Sequence, residues 1–302
     1  MSKLDLRPLT LDDLDKIYKY TSVFGENSCQ HSPVSLFSTF EKYGDEFLLS
    51  EDTLFIHRSR LDDETHRAYL APLGENAAAG FQRISDDCAA YGKKVRYVTL
   101  TEQAAGMLSR VFEGKYEIRE NRDLAEYIYS TEKLAYYSGS DLQKRRWEVS
   151  RFYKKYDGRF EIHRITPDDH EDILDFEQKW LAENCSPEDE DDLQKEGRMV
   201  SLQIRNYEKL NLDGIVLRVD DEIGGFAYGT KLNDDCVDGI IEKADRHLLQ
   251  AYKVLTQEFA KLFCSECRLL NMEEDIGIPG IRSMKLNYKP LYILRKFIAT
   301  QL

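Results

Sequence analysis

A chain of 302 residues, 42% hydrophobic and 11% aromatic, can bury a substantial core, and its length favours two domains over one. The formal net charge of −13 argues against a broad electrostatic footprint on nucleic acid or anionic lipid and leaves such work to local basic patches. Residues 1–7 lack the layout of a secretory signal, no run of about 18 apolar residues is present, and Cys29, Cys88, Cys185, Cys236, Cys264 and Cys267 form no paired framework. The expectation is a soluble cytoplasmic protein without disulfides.

In chain order, Leu4–Leu9 reads as a short strand, and Thr10-Leu11-Asp12-Asp13 caps a helix through Leu14, Ile17 and Phe24. Residues 46–59 and 67–73 read as strands with acidic turns, 75–91 as a helix ending at Gly92, 95–101 as a strand and 102–113 as a helix. Residues 116–130 read as a strand pair and 131–156 as helix interrupted at Gly139. The small residues of Gly74–Gly80 suit either a plain turn or a close approach of backbone to phosphate.

The opening then recurs. Arg159–Ile165 alternates like a strand, and Thr166-Pro167-Asp168-Asp169 caps a helix carrying Ile173, Leu174, Phe176 and Trp180. Recurrence after half the chain is too long a period for a solenoid and implies two copies of one mixed α/β unit, 1–156 and 157–302. Within the second copy, 214–219, 224–232 and 237–244 read as strands, 246–263 as a packed amphipathic helix and 268–272 as a strand before a turn, a short helix and a final apolar segment. The acidic run Glu188–Asp192, inside 183–196, reads as a solvated mobile loop, with a magnesium or partner site as its alternative.

Candidate chemistry gathers near the end of the chain. Alternation in 237–244 puts Ile240 and Glu242 on one face and Ile241 and Lys243 on the other. Asp245 stands at the expected helix start, as an N-cap or beside an anion site with Arg246 and His247. In 271–290, Asn271, Glu273, Glu274 and Asp275 precede a Gly-x-Pro-Gly turn, and Arg282, Lys285 and Lys289 follow it at helical spacing. If strand 268–272 neighbours 237–244, Glu242 and Glu273 share a cleft, and a desolvated carboxylate there takes a proton from an attacking amine or hydroxyl. A carboxylate salt-bridged to Arg282 or Lys285 is the structural alternative.

The cluster Lys144-Arg145-Arg146-Trp147, continued by Arg151, Lys154 and Lys155, lies opposite an apolar stripe of Leu142, Val149, Tyr153 and Tyr156. It reads equally as a solvated face or as a phosphate-binding one, with Trp147 and Tyr153 assigned to the core. Cys264-x-x-Cys267 is a lone pair at a helix end, and the six histidines show no ligand spacing, so no metal is expected.

Three passages together resemble a family: Tyr127-Ile128-Tyr129 with Gly139, Lys144-Arg145-Arg146 and Phe152; Ile241-Glu242-Lys243-Ala244-Asp245 leading to Gln257-Glu258-Phe259-Ala260; and Asn271-x-Glu273-Glu274-Asp275-x-Gly277-x-x-Gly280-x-Arg282-x-x-Lys285-x-x-Tyr288-x-Pro290. The chain is similar to soluble bacterial relatives of the C-terminal domain of phosphatidylglycerol lysyltransferase. That resemblance implies an α/β (α+β) fold of two tandem GNAT-like (acyl-CoA N-acyltransferase) domains, with mixed sheets flanked by helices. It implies transfer of an acyl or aminoacyl group to an amine or hydroxyl acceptor, with aminoacyl-tRNA or acyl-CoA as donor and a lipid or small molecule as acceptor.

Carried over by resemblance, Glu242, Glu273 and Asp275 are the catalytic candidates. Lys144, Arg145, Lys243, Asp245, Asn271, Arg282, Lys285 and Tyr288 are the substrate- or phosphate-binding ones. The glycine-bearing phosphate loop of acetyl-CoA enzymes is missing from Glu242–His247, which weighs against ordinary acetyl-CoA use. A non-catalytic binding or adaptor protein on the same fold is the other reading.

Overall fold

Thr10 and Thr166 begin their helices in nearly the same way. Both are extended (φ −122° and −121°), and each gives its N–H and hydroxyl to the aspartate three residues on: Asp13 at 3.0 and 2.7 Å, Asp169 at 3.0 and 2.8 Å. An arginine neutralises each carboxylate, Arg7 at 2.6 Å and Arg218 at 2.9 Å. One local solution to helix initiation, written twice, is the imprint of the repeat.

The computed structural model describes residues 3–185 and 190–302. Its first half contains β1 (Arg7–Pro8), α1 (Leu14–Phe24), α2 (Pro33–Ser38), α3 (Phe40–Tyr43), β2 (Asp45–Ser50), β3 (Thr53–Arg58), β4 (His66–Tyr69), β5 (Leu73–Gly74), α4 (Ala77–Ala90), β6 (Lys94–Leu100), α5 (Glu102–Val111), β7 (Tyr116–Glu120), β8 (Glu126–Ser130), α6 (Thr131–Tyr136) and α7 (Gln143–Lys155). There follow β9 (Phe160–Arg164), α8 (His170–Asn184), α9 (Glu190–Arg205), β10 (Asp213–Val219), β11 (Glu222–Lys231), β12 (Cys236–Ala244), α10 (Ala251–Phe263), β13 (Leu269–Glu274), α11 (Pro279–Asn287), β14 (Tyr292–Leu294) and β15 (Phe297–Gln301).

Two compact units result. The first comprises the residues through Glu126 together with Glu274–Arg282 and Ile293–Leu302; the second comprises Tyr127–Glu273 and Ser283–Tyr292. This differs from a division at 156/157, because α6 and α7 pack on α10 of the second unit while the last strand joins the sheet of the first.

In the first unit the sheet order is β1-β2-β3-β4-β6-β15-β7, with β5 on β3. Residues 46–59 form a hairpin instead of one strand, because Glu51 and Asp52 both take positive φ (52° and 54°), the conformation of a tight two-residue turn. Phe55, Tyr69, Phe81, Ile84, Tyr97 and Leu108 fill the core. Gly80 sits where an added Cβ would meet Pro72 at 2.8 Å, so helix packing accounts for that glycine.

In the second unit the order is β14-β8-β13-β12-β11-β10-β9. β9 to β12 are antiparallel, and β12 pairs in parallel with β13. Val254, Leu255, Phe259 and Ala260 of α10 are buried.

The two sheets share one plan with an exchange in it. Counted from β1 or from β9, the sixth place is filled by a strand from the other half of the sequence: β15 in the first sheet, β8 in the second. The expected pairing within 116–130 therefore does not occur, since β7 and β8 lie in different sheets. Of the acidic run, Glu190, Asp191 and Asp192 form the first turn of α9, where carboxylates complement the helix dipole; Glu188 and Asp189 lie outside the described residues.

Candidate active site

β12 pairs with β13 only over Cys236–Asp238, matched to Leu269–Asn271. Beyond that point Glu242 looks from β12 onto α10. Its two carboxylate oxygens lie 3.0 and 2.9 Å from the hydroxyl of buried Thr256, which is itself 3.3 Å from the Tyr288 hydroxyl. The Tyr288 ring stacks on Tyr137 (centroids 6.0 Å apart, 22° between planes), and the Arg145 guanidinium lies 5.2 Å from the Tyr288 centroid. Tyr137, left-handed at the end of α6 (φ 43°), donates its hydroxyl to the Lys253 carbonyl at 2.7 Å.

Burial pushes the Glu242 carboxyl up to about 7, while the Thr256 hydrogen bond and the charges of Lys253 and Lys285 pull it back. Tyr288 is pushed up to about 12 by burial and then by the Glu242 charge. Close to neutral pH, Glu242 thus accepts or releases a proton at little cost, while its phenolic neighbour keeps its own.

The other candidates divide sharply. Lys243, on the opposite face of β12 as alternation requires, is buried between Glu177 (2.5 Å) and Glu196 (2.8 Å), 4.2 Å from the Trp180 ring centroid. It holds α8 and α9 to the sheet, and a phosphate there would have to displace two carboxylates. Asp245 caps no helix: α10 starts at Ala251 behind a left-handed Gln250 (φ 62°), and Asp245 accepts from the His247 N–H at 2.7 Å within the intervening turn. Asn271 is buried and accepts from the Glu273 N–H at 2.7 Å, stabilising the positive φ (54°) of Glu273. Glu242 itself hydrogen-bonds to Thr256 and not to a second carboxylate.

Asp275 is fully buried in the first unit. Arg282 grips its oxygens at 2.9 and 2.8 Å, Arg122 approaches at 3.3 Å, and the Gly277 N–H donates at 3.0 Å. Arg282 also binds Asp123 at 2.7 Å. The salt-bridged alternative therefore describes this corner: Asp275 fixes the turn, and the Arg282 charge is compensated twice. Lys285, in the second unit, points inward and donates to the Met272 carbonyl at 2.5 Å, so Arg282, Lys285 and Lys289 make no anion-facing ridge. Lys144 is exposed, and Arg145 is partly buried against Glu148 at 2.5 Å.

A model of the C-terminal domain of phosphatidylglycerol lysyltransferase matches residues 26–300. This chain belongs to that family. Among solved structures it is similar to a conserved protein of unknown function from Bacteroides thetaiotaomicron, with 28% identity, a TM-score of 0.92 and coverage of 99% of this chain and 100% of the other. It also shares its fold with L-PGS from Bacillus licheniformis at 13% identity, a TM-score of 0.69 and coverage of 99% and 94%. An uncharacterized protein of Mycoplasmoides gallisepticum is 28% identical over 191 residues, 61% of this chain and 59% of that relative, so the match spans less than two thirds of it. The fold, two mixed α/β sheets flanked by helices, is the one it shares with L-PGS, and the family is that of the phosphatidylglycerol lysyltransferase C-terminal domain. Among the described residues no helix is long and apolar enough to cross a membrane.

For this member of the phosphatidylglycerol lysyltransferase family, sequence reasoning missed Thr256, Tyr137 and Lys253. A hydroxyl among the apolar positions of α10 was the available signal for Thr256. Also missed is a buried network in the first unit: Lys296 pairs with Glu126 at 2.5 Å, both fully buried, and Glu126 accepts from Ser28 at 2.9 Å and from the Cys29 N–H at 3.0 Å. Ligand atoms of Cys29, Glu126 and Glu274 lie within 4.8 Å of one another, but the Lys296 ammonium already supplies the positive charge that a cation would bring.

Proposed function

We propose that this chain is an aminoacyltransferase in which Glu242 is the general base. The half-buried Glu242 carboxyl, held at about 7 beside Thr256 and the open end of β12, carries the reading. An acceptor hydroxyl or amine gives its proton to Glu242 as its oxygen or nitrogen bonds to the carbonyl carbon of an aminoacyl ester. The ester C–O bond then breaks, and the departing ribose oxygen takes that proton from Glu242 and leaves as a hydroxyl. Aminoacyl-tRNA is the donor suggested by family membership, and the Glu242–His247 segment, which lacks a glycine, argues against acetyl-CoA.

The test is transfer of a labelled amino acid from aminoacyl-tRNA to lipid and small-molecule acceptors by wild type and Glu242→Gln. Wild type should turn over with a rate that rises through an inflection near pH 7, and Glu242→Gln should lose about 10²–10⁴-fold. Equal turnover by the two proteins sinks Glu242 as base. Tightly held coenzyme A in native mass spectra of the purified protein would instead favour an acyl-CoA donor.

A further inference from the structure

Trp147, expected in the core, is 58% exposed among the cations of α7, a face that would suit many anions. The oxygens around Glu242 are more selective. The hydroxyl of buried Thr256 stands 3.0 and 2.9 Å from the two Glu242 carboxylate oxygens, 2.8 Å from the Tyr252 carbonyl and 3.3 Å from the Tyr288 hydroxyl. A threonine hydroxyl owns one proton and two lone pairs, so it donates to one of these oxygens at a time and accepts from two at most. A bond back to the carbonyl four residues earlier is the ordinary habit of a helical threonine, and Tyr252 is that residue. A carboxylate drawn to the same hydroxyl through both its oxygens is not.

Counting protons leaves one pattern for each state of Glu242. An ionised carboxylate only accepts, so Thr256 donates to it and takes the Tyr288 proton on a lone pair. Once Glu242 is protonated, its O–H points at the Thr256 oxygen, which accepts from Glu242 and Tyr288 together and swings its own proton to the Tyr252 carbonyl. Every donor keeps an acceptor in both states, and the turn of one hydroxyl connects them.

The charges that face Glu242 do not turn in this way. Lys253 of α10 and Lys285 of α11 favour its ionised form, and Arg145 of α7 lies against Tyr288. Burial pushes Tyr137, Tyr252 and Tyr288 up, so these three stay neutral. Among the described residues Thr256 is the hydrogen-bond partner of Glu242, and no other is present.

We propose that Thr256 is the positioning residue of this site: its hydroxyl donates to the Glu242 carboxylate while the base is free, then turns to the Tyr252 carbonyl and accepts from Glu242 once the proton has been taken. The inference rests on the reading of Glu242 as general base and names what readies it and holds its proton. Without the hydroxyl the ionised form loses its hydrogen bond, and Glu242 stays protonated to higher pH.

Thr256→Val keeps the shape and removes the hydroxyl, Thr256→Ser restores it, and Thr256→Ala removes it again should Thr256→Val not fold; melting curves check all three. Infrared spectra of the full chain across pH, each taken as a difference from the same protein carrying Glu242→Gln, follow the band of the protonated Glu242 carboxyl. The wild-type midpoint lies at about 7. Loss of a hydrogen bond to a charged group should raise it by about one to two pH units in Thr256→Val and Thr256→Ala, and Thr256→Ser should return it to within about half a unit. In aminoacyl transfer, wild type should level off above about pH 7.5, while Thr256→Val keeps climbing about tenfold per unit to about pH 8.5.

A midpoint unmoved by Thr256→Val and Thr256→Ala, or moved as far by Thr256→Ser, overturns the proposal. The titration needs no substrate, so the base is judged apart from it. Transfer indifferent to Glu242→Gln removes the base, whereas a midpoint raised by Thr256→Val and restored by Thr256→Ser still upholds the turning hydroxyl.

Discussion

Replacing Glu242 by glutamine tests the environment of this carboxyl without reference to any substrate. Burial raises it from the ordinary 4.5 to about 7, so the folded chain holds this proton more tightly than the unfolded chain does. Such a group favours folding at low pH, and its contribution is lost as pH rises from about 4.5 through about 7. A shift of about 2.5 units corresponds to about 3.4 kcal/mol at 1.36 kcal/mol per unit, and residual contact with water lowers this to about 2 kcal/mol. Glutamine keeps the shape and cannot ionise. Glu242→Gln should therefore be about 2 kcal/mol more stable than wild type near pH 8.5 and nearly equal to it near pH 4.5. Urea unfolding at both pH values reads this directly. A variant less stable at the higher pH, or a gain of equal size at both, refutes the assignment of a desolvated carboxyl.

Lys243→Met leaves Glu177 buried without its cation and should cost about 3–5 kcal/mol, measured as a fall in the thermal midpoint. Asp275→Asn removes the charge that Arg282 and Arg122 share; about 1–3 kcal/mol of local stability should go, seen as faster amide hydrogen exchange over residues 275–282. Lys296→Met strands fully buried Glu126, and a loss of about 3–5 kcal/mol in chemical denaturation is expected.

Some of this was legible in the sequence and some was not, for physical reasons. Strand alternation alone places Glu242 and Lys243 on opposite faces of β12, because the period of two is a property of the backbone. What waits on each face is not local. Lys243 meets a glutamate 66 positions earlier, and the hydroxyl at Glu242 comes from the next helix. Asp245 carries a sound N-cap signal, yet the turn through a left-handed Gln250 delays the helix, and nothing short of glycine announces that conformation in a sequence. The tetrad Asn271–Glu274 with Asp275 looked like one cluster, but Asn271 and Asp275 are spent on turns and ion pairs. Tyr127-Ile128-Tyr129 reads plainly as strand; which sheet receives it depends on pairing, which local composition does not encode.

The placing of β15 between β6 and β7 sets a timetable for biosynthesis. Both strands leave the ribosome early, but the one that bridges them follows about 180 residues later, some 10–35 s at about 5–20 residues per second. Until then the nascent first sheet has two open edges with Tyr97 and Tyr116 nearby, surfaces that invite aggregation or a chaperone. Completion of the first sheet thereby waits until nearly all of the second unit has been made.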